Sequence, residues 1–182
     1  MIMPLFTFDD GNESDIFAAR VIQEHGMKGV FFVNDKPNVR ELVEELLKLG
    51  MYVGNHTASH PDMRTLTAEQ VYTEVVGFNH FLESIGASGE WFSYPYSQRP
   101  EQGMHHIKTQ FKYIYKGYDE PTPDRDGEIS RVSVVGKSED VILGYLDKNI
   151  PLQLHMLDGN NPIAIPKDQF VKYVRYAKRN IR

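Results

Sequence analysis

Cysteine is absent from the 182 residues. Neither a disulfide framework nor a thiolate metal site can be built, and any bound metal must take imidazole and carboxylate ligands. Long apolar runs are lacking too, and none approaches the ~20 residues of a membrane span. Nothing resembles a secretory signal, because Met1-Ile2-Met3-Pro4 leads straight into the first predicted strand. These features predict a cytoplasmic protein without a membrane span, although a secreted protein trimmed of its leader would read the same. An excess of positive charge is also missing. The formal net charge is -5, with Lys and Arg scattered, which argues against a nucleic-acid surface. The one basic stretch, 172–182, reads as a solvated helix end whose cations suit the negative pole of the helix dipole. A glycine-rich phosphate turn is absent, since the first strand runs into Asp9-Asp10-Gly11-Asn12-Glu13. That argues against a dinucleotide fold.

What is present is alternation. Strand-like runs occur at 4–8, 29–33, 51–55, 91–94, 112–116, 131–135 and 151–155. Between them lie segments with apolar residues at helical spacing: Ile16, Ala19 and Ile22; then Val39, Leu42, Val43, Leu46 and Leu47; then Val71, Val75, Phe78, Phe81 and Leu82. Gly26, Gly50 and Gly86 follow these three segments as helix stops. Seven strands with interleaved helices predict an α/β fold, a parallel (β/α) barrel that is irregular or incomplete. The stretch 119–128, with Pro121, Pro123 and Gly127, is the one clear irregular loop. No linker or repeat divides the chain, so residues 1–182 are expected to form a single domain.

In such a barrel, functional groups collect where the strands end. Asp9 and Asp10 end the first strand, His56 and His60 follow the third, Tyr94-Pro95-Tyr96 ends the fourth and His155 ends the seventh. Two carboxylates and two histidines at two strand ends are the material of a one-carboxylate, two-imidazole metal site, with one acid left for proton transfer. Each motif also has a plain reading: Asp-Asp-Gly as a solvated turn, His-x-x-x-His as two unrelated histidines, and His155 as a core histidine bonded to backbone. His25, His80, His105 and His106 fall in helical stretches and are taken as structural or exposed.

With these residues in view, the chain resembles the polysaccharide deacetylases, the carbohydrate esterase family 4 or NodB homology domain. Thr7-Phe8-Asp9-Asp10-Gly11 matches the first motif of that family and His56-Thr57-Ala58-Ser59-His60 the second. Gly29-Val30-Phe31-Phe32-Val33 resembles its second strand, and Leu152-Gln153-Leu154-His155 its last motif. Ser93-Tyr94-Pro95-Tyr96 is similar to the Phe-Ala-Tyr-Pro-Tyr variant of the third motif, which lacks the usual arginine. Another group must then orient the base aspartate, and Arg99 and Arg131 are the candidates. A fourth motif, Asp with a nearby Trp, has no match; Asp119, Asp124 and Asp126 lie in the right region, but the only tryptophan is Trp91.

The resemblance implies one divalent metal on Asp10, His56 and His60, zinc by preference, with cobalt, nickel and manganese suiting the same donors. It implies Asp9 as general base, His155 as general acid and the Tyr96 backbone N–H as oxyanion donor. The substrate would be an N-acetylated sugar or glycan, on a groove walled by Tyr94, Pro95, Tyr96 and Trp91. Two other readings keep the same residues: hydrolysis of small cyclic amides or imides in a closed pocket, and a glycan-binding domain with weakened turnover. Oligomeric state is not read from the sequence.

Overall fold

The structure, a computed structural model, describes residues 3–159 and 161–180. The leading Met1-Ile2 and the last two residues of the basic stretch lie outside the described residues. Seven parallel strands form the barrel: β1 (Phe6–Phe8), β2 (Val30–Val33), β3 (Tyr52–Asn55), β4 (Trp91–Ser93), β5 (Tyr113–Tyr118), β6 (Glu128–Ser133) and β7 (Leu152–Leu154). They pair in chain order, and β7 closes the ring on β1 with Thr7 opposite Gln153. The expected seven strands are therefore all present, and the ring is closed rather than incomplete.

The helices are α1 (Asp15–Glu24), α2 (Val39–Lys48), α3 (Ala68–Tyr72), α4 (Phe78–Ser84), α5 (Met104–Gln110), α6 (Glu139–Asp147) and α7 (Lys167–Asn180). Gly26, Gly50 and Gly86 do follow the ends of α1, α2 and α4 in left-handed backbone, at φ 68°, 75° and 100°. Two short strands, β8 (Met156–Leu157) and β9 (Ala164–Ile165), add a ribbon beside α1 that no sequence pattern announced. Between β5 and β6 the described residues contain no helix; a loop crosses instead and bonds back to β6, Asp124 accepting from the Ser130 N–H at 2.7 Å.

Alternation along each strand divides the core in two. Phe6, Phe8, Phe31 and Val33 face outward and pack beneath α1, α2 and α7, with Phe8 stacked on Phe31 at 4.9 Å. Val30, Phe32, Trp91 and Tyr115 form a separate cluster that fills the barrel interior. Trp91 stacks there between Tyr52 at 4.7 Å and Tyr113 at 4.2 Å. Gly54 makes the room: a Cβ on it would lie 2.5 Å from the Phe32 ring and 2.8 Å from the Trp91 Cβ. The same two-residue period carries Thr7 and Asp9, His56, Ser93, Arg131, and Gln153 and His155 toward the inside of the C-terminal end.

Candidate metal and catalytic site

Asp9 is 1% exposed and its partner is Arg131, itself fully buried. Arg131 Nη1 donates to Asp9 Oδ1 at 2.9 Å and Nη2 to Oδ2 at 2.5 Å, the bidentate geometry a guanidinium offers a carboxylate. The same two nitrogens make further bonds: Nη1 reaches the Thr7 hydroxyl at 2.8 Å and Nη2 the Ser93 hydroxyl at 2.5 Å, while Nε is buried without a partner. Phe32 and Tyr115 present ring faces to the guanidinium from 5.2 and 5.9 Å. Burial by itself would raise the Asp9 pKa, but the Arg131 charge, helped by His56, holds it well below the usual carboxylate range.

The choice between the two arginines is thus decided for Arg131. Arg99 lies elsewhere and binds Glu128 at 2.7 Å and Asp126 at 3.0 Å. Glu128 also accepts from the Tyr94 hydroxyl at 2.8 Å. In place of the strand expected at 131–135, β6 begins at Glu128 and carries Arg131 in its middle. Glu128 fell at the end of the expected loop 119–128; it and Arg131 are tolerated in a buried strand because each charge meets its opposite across the fold.

Asp10, His56 and His60 come together above Asp9. One ligand atom from each can be chosen so that all lie within 4.8 Å of one another. His56 Nε2 stands 3.6 Å and His60 Nε2 3.4 Å from Asp10 Oδ1. His56 Nδ1 donates to the Ser93 carbonyl at 2.8 Å, which fixes the tautomer and leaves Nε2 with its lone pair facing Asp10. Burial also lowers the His56 pKa against the pull of Asp9 and Asp10, favouring the neutral, ligating form. Two imidazoles and a carboxylate with converging lone pairs fit a single divalent cation. Asp10 and His60 are about a quarter exposed, at 26% and 27%, so solvent reaches the site from one side.

The loops that carry these groups are strained and held. Of the eight non-glycine residues with positive φ among the described residues, five are here: Asp10, Thr57, His60, Tyr96 and Ser97. Such conformations persist only where neighbours enforce them. Lys36 Nζ donates to the Asp10 carbonyl. Asn34 Nδ2 donates to the His56 and Thr57 carbonyls at 2.6 and 3.1 Å. The third expected helix is not continuous: a five-residue π turn, Thr73–Gly77, separates α3 from α4. Its carbonyls take bonds from the histidine loop, Asn55 Nδ2 reaching Val75 O at 2.8 Å and the Ala58 N–H reaching Glu74 O at 3.0 Å. The wider turn thus turns an irregular helix into an anchor for His56 and His60.

His155 follows β7 beside Asp9. Asn12 Nδ2 ties the two, donating to the Asp9 carbonyl at 3.2 Å and the His155 carbonyl at 2.8 Å. His155 Nδ1 is buried without a hydrogen-bond partner, so no aspartate supports the ring through that nitrogen. The expected aromatic groove wall requires correction. Tyr94 and Trp91 are each 1% exposed and Pro95 is buried. Trp91 faces the barrel interior, and Tyr94 packs outward with Phe92 and Ile107 beneath α5, because successive strand positions alternate. Only Tyr96, 63% exposed, stands at the rim, its ring 4.6 Å from that of His60. Beside it lies a cleft of ≈430 Å³ that Tyr96, Ser97, Gly117, Tyr118 and Gln153 help to line. His25, outside the site, bonds the Val21 carbonyl at 2.7 Å, and His80 and His105 are exposed.

Sequence reasoning missed the parts played by Thr7, Ser93 and Gln153. Each is a polar residue between apolar neighbours in a strand, and that pattern marks an inward-facing position in a barrel whose interior ends in a polar site.

A solved structure of the Bc1960 peptidoglycan N-acetylglucosamine deacetylase is 19% identical and superposes with a TM-score of 0.73 over 98% of this chain and 82% of that one, a likeness of fold. An uncharacterized 30.6 kDa protein of Geobacillus stearothermophilus is 25% identical over 177 residues, 93% of this chain and 64% of the relative. The Bacillus subtilis peptidoglycan-N-acetylmuramic acid deacetylase PdaA is 34% identical over 86 residues, 43% of this chain. This chain spans 64% and 32% of the lengths of these two relatives. Among the described residues no helix is long and apolar enough to cross a membrane. The family model for polysaccharide deacetylases matches residues 3–113, more than half of the chain and the part that bears Asp9, Asp10, His56 and His60, and on that match the chain belongs to the polysaccharide deacetylase family.

Proposed function

We propose that residues 1–182 form a single catalytic domain that removes acetyl groups from N-acetylated sugars or polysaccharide, with one divalent cation, zinc by preference, held by Asp10, His56 and His60. The observation that carries the reading is the convergence of these three side chains beside a separate buried carboxylate. When bound, such a cation acidifies water and polarises an amide carbonyl. Asp9 takes the proton from the attacking water; it is ionised at neutral pH because Arg131 holds it so. The Tyr96 N–H meets the negative charge that develops on the carbonyl oxygen. His155 protonates the nitrogen as the C–N bond breaks, releasing acetate and a free amine. The exposed Tyr96 ring beside a cleft supports a sugar rather than a small cyclic amide in a closed pocket.

Acetate release from N-acetylglucosamine oligomers tests the reading, together with metal content. Asp9→Asn should keep its metal and lose about 10²-fold or more in kcat. His56→Ala should lose the metal. An active Asp9→Asn protein overturns the base assignment, and a His56→Ala protein that keeps its metal overturns the ligand set. One observation favours the weakened, glycan-binding reading: the unpartnered His155 Nδ1, which leaves the ring without a hydrogen bond to orient it from that side. Glycan binding by calorimetry without acetate release would select it.

A further inference from the structure

The reading above uses Asp9, Arg131 and the histidines, but Asp9 has a third partner that it leaves aside. Gln153 Nε2 donates to Asp9 Oδ2 at 2.9 Å, with the Gln153 side chain buried in β7. An ionised carboxylate only accepts, so the amide must turn its NH₂ to Asp9 and its Oε1 the other way. The other way is Gly117, across the barrel on β5. A Cβ built on Gly117 would lie 2.1 Å from Gln153 Oε1, 2.9 Å from its Cδ and 2.6 Å from Ser97 Oγ. Its backbone φ is not positive. Glycine is therefore present here for space and not for backbone freedom, and alanine would bring no backbone strain.

We infer that Gln153 is a positioning residue for Asp9, and that Gly117 is the opening that lets the Gln153 amide reach it. The amide is planar, so Oε1 and Nε2 move together. A methyl group at 117 cannot stay at 2.1 Å from Oε1, and the side chain yields by swinging Nε2 away from Asp9. The carboxylate then keeps only the Arg131 fork and regains a rotation. The Gly117 N–H also donates to Ser97 Oγ at 3.1 Å, one residue beyond Tyr96, so the same glycine borders both the base and the loop of the oxyanion donor.

This inference rests on Asp9 being the base, and a double-mutant cycle tests it. Gly117→Ala, Gln153→Ala and the double variant are compared for kcat and KM in acetate release from N-acetylglucosamine oligomers, and for zinc affinity. Each single change should lower kcat about tenfold or more, the scale of one lost bond to a charged group, with KM and zinc affinity little changed. The double variant should fall no further than the worse single one, because both remove the same contact. Multiplied losses, or Gln153→Ala at wild-type kcat, overturn the inference. If the wild-type protein releases no acetate, it is the proposed activity that fails. The crystal structure of Gly117→Ala then decides the inference alone: Gln153 displaced from Asp9 sustains it, and an intact 2.9 Å bond overturns it.

Discussion

Asp9 is charged because of Arg131, and Asp15, a few residues on, shows the opposite case. Asp15 is 1% exposed, its Oδ2 accepts the Asn12 N–H at 3.0 Å, and its Oδ1 is buried without a partner. Burial raises its pKa well above the ordinary value, and the Asn12 N–H and the Lys36 charge offset only part of that rise. An acid whose pKa is raised on folding holds its proton longer in the native state. Its contribution to stability is full below the unfolded pKa of about 4 and declines as pH rises toward the folded value. Asp15→Asn removes that decline. Its unfolding free energy, from urea titrations, should rise relative to that of wild type between about pH 4 and pH 7. A constant difference across that range would assign Asp15 an ordinary pKa. Neither aspartate's state was legible locally, since both sit in the same polar stretch and only their tertiary neighbours distinguish them.

At the scale of elements, the strand positions were readable because apolar runs and helical spacing leave a strong periodic signal, and all seven strands lie within a few residues of expectation. The misses have a common cause. β6 begins at Glu128, inside the expected loop, because Arg99 neutralises that buried carboxylate from another part of the chain. The helix between β3 and β4 was read as continuous because its apolar spacing tolerates the π turn, whose extra width serves the histidine loop. That service can be measured. Asn55 joins the two, donating to Val75 O at 2.8 Å and accepting from the Thr57 N–H at 2.7 Å. Asn55→Ala strands both buried groups and should cost about 2–4 kcal/mol in urea unfolding, with weakened zinc binding. Unchanged zinc affinity would mean that the loop holds its shape without the turn.

Across the whole molecule, the proposed cation would join the end of β1 to the loop after β3, so binding it should stabilise the barrel by mass action. At about a hundred times Kd, zinc should add about 2.7 kcal/mol, or about 5–10 °C in Tm for a chain of this size. His56→Ala should abolish the shift in a thermal melt. An equal shift in that variant would place the zinc elsewhere. The sequence by itself determined the alternation of strands and helices, the seven-stranded parallel barrel that this implies, and the residues that meet at its C-terminal end, because these follow from periodicity and from motifs contiguous along the chain, whereas the closure of the ring was decided by the fold. Only the tertiary structure decided that Arg131 and not Arg99 holds Asp9, that Trp91 and Tyr94 are core, and that Gln153 and Gly117 border the site. Those facts depend on which side chains meet across the barrel, and contacts between residues tens to more than a hundred positions apart leave no local pattern.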